Sequence, residues 1–149
     1  MEERFKTFTV LIASISRGIR KIKTAEMAEF DLKSPHVSCL YYLYKTESLT
    51  AKELCDICEE DKANISRSIK YLEENGYIFC SSKLKKRYQT PLELTTKGRE
   101  VARCLAEKID NILSAASDGL SEDDRQVMYR SLALINDNIH RICEEYGEE

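Results

Sequence analysis

The chain has 149 residues, of which 33% are charged and 42% are hydrophobic, and it carries a formal net charge of −3 at pH 7. This composition is ordinary for a soluble protein of one domain with a sizeable core, and the net charge argues against a generally basic nucleic-acid-binding protein. The sequence contains no apolar run long enough to span a membrane and no basic leader followed by an apolar run, so we expect a cytoplasmic protein with no membrane partner.

The first predicted helix carries a heptad-like apolar stripe, with spacings that alternate between three and four residues: Phe5, Phe8, Ile12, Ile15, Ile19 and Ile22. Stripes of this kind are typical of helices that pack along one another. The stripe therefore indicates an interface helix at the start of the chain.

The next predicted helix opens at Ser34, as N-cap, with Pro35 in the first turn. It is rich in rings with polar tips, namely His36, Tyr41, Tyr42 and Tyr44. Such rings offer apolar area and orienting hydrogen bonds, so they predict the wall of a small-molecule cleft. The alternative is that they are core and interface aromatics.

Two short helices follow. Thr50 and Glu53 form a capping-box signature for a helix that carries Leu54 and Ile57 inward. Asp61 is the predicted N-cap of a second helix. Residues spaced four and three apart predict the buried side of this helix, namely Ile65, Ile69 and Leu72. Gly76 suits the left-handed position that follows the last turn of a helix.

The outward face of this second helix has small, amide, basic and aromatic side chains, with Glu74 only at its far end. Arginine and asparagine bond base edges bidentately, and small residues allow close approach in a DNA major groove. An ordinary solvated helix face is the alternative. The DNA-binding residues predicted on this helix are Ala63, Asn64, Ser66, Arg67, Lys70 and Tyr71.

Residues 77–81 and 90–94 predict two strands joined by a basic segment. Pro91 cannot donate a ladder hydrogen bond, so it suggests an edge strand. A basic hairpin directly after a two-helix unit is typical of the wing of a winged helix-turn-helix. The cations of this wing are Lys83, Lys85, Lys86 and Arg87. They would neutralise phosphates or reach into the minor groove.

Two more helices complete the chain. Thr95 or Thr96 begins a long helix, and Ser121 with Asp124 begins the last one. The last helix repeats the apolar spacing of the first. We predict that both terminal helices form a homodimer interface, and the alternative is that they pack on each other within one monomer. The predicted interface residues are Phe5, Phe8, Ile12, Ile15, Met128, Leu132, Ile135, Ile139 and Ile142.

Residues from about 30 to 98 resemble the MarR family of winged-helix transcriptional regulators. The resemblance rests on Leu54, on the segments 61–67 and 72–78, and on the Leu-Thr-Thr-Lys-Gly run at 94–98. It implies a mainly α fold with a small β-hairpin wing and terminal dimerisation helices. The implied parts of this single domain are a dimerisation lobe, 1–32 with 99–149, and a DNA-binding lobe, 33–98.

The wing departs from the family pattern. Family wings commonly carry Asp-x-Arg eight residues before the Leu-Thr pair, and Lys86 and Tyr88 occupy those positions here. The carboxylate that orients the wing arginine is therefore replaced by a lysine. We take Arg87, between them, as the residue that contacts DNA.

The charge is unevenly distributed. Residues 62–92 contain seven basic and two acidic side chains, a net charge of +5, which leaves −8 for the remainder of the chain. An excess of positive charge in one segment is the pattern expected of a nucleic-acid footprint.

No Gly-rich phosphate loop, HExxH or GxSxG motif occurs, so we predict neither an enzyme nor a cofactor. The six cysteines are expected to be reduced thiols. Cys55 and Cys58 form the only CxxC pair, and no second pair or suitably spaced histidines complete a zinc site, so no metal is predicted.

The sequence thus predicts a homodimeric repressor that binds a pseudo-palindromic operator in double-stranded DNA, with release by a small-molecule effector left open. Two alternatives remain. One is a thiol- or metal-responsive sensor of the same fold, acting through Cys55 and Cys58 or through Cys143. The other is a winged-helix module that binds a protein instead of DNA.

Overall fold

A computed structural model describes residues 2–58, 60–81 and 89–147. The chain divides into two compact units, Met1–Asp110 and Asn111–Glu149, and each is described by itself. The lobe boundaries predicted from the sequence, 1–32, 33–98 and 99–149, therefore remain a prediction.

The described part of the chain is mainly helical, as predicted. A π-helical segment, Lys6–Leu11, separates α1 from α2, and a 3-10 turn, Ala28–Phe30, follows α2. The α-helices are α1 (Glu2–Phe5), α2 (Ile12–Glu26), α3 (Ser34–Thr46), α4 (Ala51–Cys58), α5 (Lys62–Glu74), α6 (Thr96–Ala116) and α7 (Glu122–Gly147). The strands are β1 (Ser48–Leu49), β2 (Ile78–Cys80) and β3 (Leu92–Leu94).

The π-helical segment interrupts what the sequence predicts as one regular helix. Two hydroxyls in it bond backwards along the chain: Thr7 Oγ1 donates to the Glu3 carbonyl at 2.8 Å and Thr9 Oγ1 to the Phe5 carbonyl at 2.6 Å. Such bonds compete with the backbone ladder and bend helices. Apolar spacing alone does not detect this competition.

The core of the first unit lies where α3, α4 and α5 meet the sheet. Leu40, Leu54, Ile65 and Leu72 are each 0% exposed, so the inward positions predicted for α4 and α5 are confirmed for these residues. Ile57 is the exception, because it is 39% exposed. It lies on the last turn of the eight-residue α4.

Local hydrogen bonds fix the starts of the helices. Glu53 Oε2 accepts from the Thr50 N–H at 2.7 Å, while Thr50 Oγ1 accepts from the Glu53 N–H at 3.2 Å, which confirms the capping box. Ser121 Oγ accepts from the Asp124 N–H at 3.1 Å, as predicted. At α6 the cap is Thr95, whose Oγ1 accepts from the Gly98 N–H at 3.0 Å.

The start of α3 differs from the prediction by one residue. Ser34 is the first helical residue, and Lys33 holds the N-cap position. The Lys33 N–H donates to Nδ1 of His36 at 3.0 Å, so the imidazole fills the place that glutamate takes in a capping box. Histidine is not a standard capping signal, and the sequence therefore favoured the serine.

The three strands form an antiparallel sheet in the order β1-β3-β2. Strand β1 was not predicted, because it has only two residues, and it pairs Leu49 with Leu92. As a consequence β3 is the central strand, which corrects the edge-strand expectation. Pro91 is tolerated because it precedes β3, and its carbonyl accepts from the Ser81 N–H at 3.0 Å.

No helix in residues 2–58, 60–81 and 89–147 is both long and apolar enough to cross a membrane. In the second unit, α6 ends at Ala116 and α7 begins at Glu122, and Gly119 between them has a φ of 86°.

Candidate nucleic-acid interface

Helix α5 is fixed in register by its cap and its buried side. Asp61 Oδ1 accepts from the Asn64 N–H at 2.7 Å and satisfies one of the free donors of the first turn. Ile65 and Leu72 are fully buried, and Ile69 is 6% exposed. Because that side is held in the core, the residues on the opposite side of the helix face solvent.

Four of the predicted contact residues form an exposed face on α5, which we call the α5 face: Ala63, Ser66, Arg67 and Lys70. Lys70 Nζ on this face forms an ion pair with a Glu74 carboxylate oxygen at 3.9 Å, with 74% and 63% of the two side chains exposed. Exposed i, i+4 pairs contribute a few tenths of a kcal/mol, so Lys70 can exchange this partner for a phosphate at little cost.

Asn64 is placed differently from those four. It is half-buried, and its Nδ2 donates to a carboxylate oxygen of Glu60 in the turn before the helix. One amide N–H of Asn64 is therefore engaged within the helix-turn-helix.

Tyr71 is held by its neighbours. Its ring stacks on His36 of α3, with centroids 4.3 Å apart and planes within 3°, and its hydroxyl donates to the Asp31 carbonyl at 2.8 Å. Loss of solvent and the nearby Asp31 carboxylate raise the pKa of Tyr71. These contacts tie α5 to α3, so Tyr71 helps to hold the α5 face in position.

The predicted wing cations Lys83, Lys85, Lys86 and Arg87 lie outside the described residues. The base of the hairpin is described, and β2 pairs with β3 through Phe79 and Glu93. Ser81 closes this base, because its Oγ and its N–H both donate to the Pro91 carbonyl at 3.0 Å.

The end of α5 is joined to the start of α6. Lys97 Nζ donates to the Asn75 carbonyl at 2.8 Å and lies 4.3 Å from the centroid of the Tyr77 ring. Gly76, with a φ of 73°, provides the predicted left-handed residue between α5 and β2. The last turn of α5, the residues before β2 and the start of α6 are thus tied together.

A groove of about 470 Å³ runs beside the α5 face, and sequence patterns gave no sign of it. Its floor is apolar and its rim is charged, and two residues of the α5 face, Ser66 and Lys70, belong to its lining. The lining is formed by Ala51, Lys62, Ser66, Ile69, Lys70, Glu73, Glu74 and Leu92.

The four rings predicted to form a ligand cleft have different neighbours. Tyr41 and Tyr42 pack edge to face at 5.5 Å between centroids, and Lys45 Nζ lies 5.4 Å from the Tyr41 ring centroid. His36 instead faces Tyr71, and its pKa is lowered by burial and by Lys33. Tyr44 packs against the core. A ligand cleft at these rings remains a prediction.

Cys55 and Cys58, the CxxC pair, are both half-buried. Within the part of the chain that the structure describes, no three His, Cys, Asp or Glu side chains are grouped so that they could hold a metal ion.

Comparison with known proteins decides the family. A family model described as winged helix DNA-binding domain matches residues 36–113, which is more than half of the chain. The chain belongs to this family. The match includes all of the helix-turn-helix, the hairpin and most of α6.

Similar proteins agree with this assignment. The winged-helix chain is 33% identical over 107 residues to YdcH, an uncharacterized HTH-type transcriptional regulator of Bacillus subtilis, covering 66% of this chain and 71% of that one. Its fold matches a MarR family regulator from Neisseria meningitidis with a TM-score of 0.82 at 19% identity, over 95% of this chain and 97% of the other.

The fold also matches S. aureus MepR, solved as a complex with DNA, with a TM-score of 0.77 at 19% identity, over 89% of this chain and 97% of that one. The resemblance to the MarR family and the predicted fold class are confirmed.

Proposed function

We propose that this winged-helix protein is a cytoplasmic, homodimeric repressor that binds a pseudo-palindromic operator in double-stranded DNA. Each α5 would enter a major groove, and the two half-sites would lie about one helical turn, roughly 10 bp, apart. The wing cations would contact phosphates or the minor groove on either side.

The α5 face is the single observation that carries this proposal. Arg67 and Lys70 extend from a helix whose opposite side is buried, and Ala63 and Ser66 on the same face are small and exposed. Arginine reads guanine through two hydrogen bonds, and small neighbours let the helix backbone approach the bases. A rigid, capped helix presents these groups with little loss of entropy on binding.

Uncovered apolar surface supports the homodimer. Of the residues predicted for the interface, Phe5 is 71% exposed, Ile15 53% and Ile142 49%, and Met128 and Ile135 are half-buried. Exposed apolar side chains at heptad-like spacing are typical of an interaction site, and the matching stripes of the two terminal helices favour a second copy of the chain.

Unbiased selection of bound sequences from random duplex DNA tests the proposal. The expected result is a symmetric consensus with half-sites about 10 bp apart. An asymmetric single half-site would contradict the dimer, while recovery of no sequence above background would favour the protein-interaction alternative. Binding measured over a salt series separates the two classes, since phosphate contacts give a steep salt dependence.

A small-molecule effector forms a secondary part of the proposal. A ligand at the rings of α3, among them Tyr41 and Tyr42, would change the spacing of the two recognition helices and so release one half-site. Unchanged operator affinity across a broad ligand screen would contradict it.

A further inference from the structure

Helix α2 carries cations on the side that faces away from its apolar stripe. At about 100° per residue, the mean direction of Arg17, Arg20 and Lys21 lies about 170° around the helix axis from that of the four isoleucines of the stripe. All three cations are exposed, and we call them the α2 basic patch. A second copy of the chain that covers the stripe therefore leaves the patch open to another partner.

The segment around the patch is strongly positive. Residues 4–25 contain six basic side chains and no acidic one, although the whole chain carries a net charge of −3. The single acidic residue of α2, Glu26, forms an ion pair with Lys108 Nζ at 3.2 Å. An excess of positive charge on one side of a helix is the footprint expected of a surface that binds a polyanion.

The cations of the patch have no competing partners within the part of the chain that the structure describes. None of the three side chains takes part in a hydrogen bond or an ion pair there. A shallow groove of about 490 Å³ lies between them, and the small residues Thr24 and Ala25 complete its lining. An anion can thus approach the patch without breaking an existing ion pair.

Direct contacts tie α2 to the elements that carry the α5 face. Lys23 Nζ donates to Ser38 Oγ of α3 at 3.2 Å. Just after α2, the Asp31 carbonyl accepts from the Tyr71 hydroxyl of α5 at 2.8 Å. Lys21 lies about 8 Å along the helix axis from the end of α2. The patch is therefore close to α5 and has a fixed place relative to it.

We propose that the α2 basic patch binds backbone phosphates of the operator DNA, in addition to the contacts made by the α5 face and the wing. The inference rests on the proposed function, because it takes duplex DNA as the ligand. Contacts to phosphates position a protein on the duplex and carry no base preference. The patch thus adds affinity and salt dependence without adding to the sequence that is read.

The arrangement of the cations favours a polyanion over a single small anion. Arg17 and Lys21 are four residues apart, which is about 6 Å along the helix axis. Duplex DNA presents one negative charge per about 1.7 Å of its axis, so several phosphates lie within reach of such a row, and their counterions are released on binding. A free anion would be held only by exposed side chains, where solvent and salt screen the attraction.

Binding to the operator obtained by selection, measured over a salt series, tests the contact. The variant is Arg17→Gln with Lys21→Gln, which removes two charges from the patch. Each phosphate contact contributes about 0.9 to the slope of log affinity against log salt. We expect the slope to fall by about 2, so that the advantage of wild type over the variant shrinks about tenfold between about 50 and 200 mM salt.

Arg99→Gln with Arg103→Gln is the matched control. It also removes two charges four residues apart, from exposed positions of α6, and should keep the wild-type slope. An equal fall in both double variants would overturn the proposal, because the effect would then come from net charge alone.

A second variant, Arg17→Lys with Lys21→Arg, exchanges the two cations and keeps the charge. It should also retain the wild-type slope. If it loses the slope as the glutamine variant does, the effect comes from a disturbed helix and the phosphate contact is refuted.

Ethylation of single phosphates in the operator locates the contact. Ethylation removes the charge of one phosphate and blocks its interaction with a cation. In each half-site we expect phosphates at which ethylation weakens binding of wild type but not of the Arg17→Gln, Lys21→Gln protein. Identical interference patterns for the two proteins would contradict the proposal.

Three further results separate this contact from the proposed function. If wild type binds a symmetric operator and the glutamine variant keeps its slope, the contact is refuted and the proposed function stands. If wild type binds no duplex DNA, the proposed function is refuted, and the contact with it. Sedimentation detects the other occupant, since a dimeric wild type with a monomeric glutamine variant would assign the patch to an interface between copies instead of to DNA.

Discussion

Individual side chains on α5 differ in what they are free to contact. Arg67 and Lys70 are exposed, whereas Tyr71 is stacked on His36 and Asn64 donates to Glu60. The angular spacing of residues in an α-helix places all four side chains near one side of α5. This spacing does not predict which of them bond to neighbouring residues. The base-reading role is therefore best supported for Arg67.

Arg67→Ala is expected to relax the preference at one base pair in each half-site, at a cost of about 1–3 kcal/mol, because a bidentate contact to a base edge is lost. Competition between the selected operator and singly substituted operators measures this. Arg99→Ala removes an exposed cation on α6 and should leave the preference unchanged. An Arg67→Ala protein with unaltered preference would remove this residue from the set of base readers.

Arg87→Ala should behave differently from Arg67→Ala. Loss of a phosphate or minor-groove contact weakens binding to all sequences alike and lowers the slope of log affinity against log salt by about 1. A change confined to one base position would contradict this role for Arg87.

Gly98 shows how one missing side chain sets the packing of α6. A Cβ at this position would lie 1.8 Å from the Tyr77 carbonyl oxygen, which is backbone and cannot rotate away. Gly98→Ala is expected to lower the free energy of unfolding by about 1–3 kcal/mol, since the start of α6 must move away from the Tyr77 backbone. Urea unfolding measures the loss.

Gly18→Ala is the control for Gly98→Ala. Gly18 lies within α2, and a Cβ there meets no other atom within 4 Å. This substitution should raise stability by about 0.5–1 kcal/mol through helix propensity. If both variants were stabilised equally, the close approach of Gly98 to Tyr77 would be refuted.

At the scale of elements, short-range hydrogen bonds decide where helices begin. The Thr50 N–H and hydroxyl both donate to the Glu53 carboxylate, at 2.7 and 2.9 Å, and they lower the pKa of Glu53 from its usual 4.5. A carboxyl whose pKa is lowered by folding adds stability that is present above the unfolded pKa and is lost as pH falls through the folded pKa.

Glu53→Gln should remove that pH-dependent contribution. The difference in unfolding free energy between wild type and Glu53→Gln is expected to be constant above pH 6 or so and to shrink as the pH drops below about 4.5. Urea titrations over a pH series measure it, with Glu100→Gln, at an exposed carboxylate of α6, as the control. A difference that stays constant down to acid pH would contradict the capping role of the charged form.

At the scale of the whole molecule, the two units leave apolar stripes uncovered. Ile15 in α2 and Leu132 in α7 are 53% and 45% exposed. Surface of this kind is stable in water when another chain covers it. The sequence predicted which residues would form the stripes, and the homodimer they would build is our proposal.

Ile15→Glu is expected to shift the protein from dimer to monomer, because a charge enters an apolar interface without a partner. Sedimentation at several protein concentrations measures the shift. Ser14→Glu introduces the same charge at an exposed neighbouring position about 100° away around the helix and should leave the dimer intact. A wild-type protein that is monomeric at all concentrations would contradict the dimer proposal.

The sequence by itself determined the features that depend on residues a few positions apart. The caps at Thr50 and Asp61 and the buried spacing of Ile65, Ile69 and Leu72 follow from contacts within one or two helical turns. The order of these elements, together with the Leu-Thr-Thr-Lys-Gly run, also determined the family.

Only the tertiary structure decided which distant residues meet. It stacked Tyr71 on His36 and made β3 central by adding β1. Local periodicity gives the face on which a residue lies but not its partner on another element, because the partner depends on how the elements pack in three dimensions.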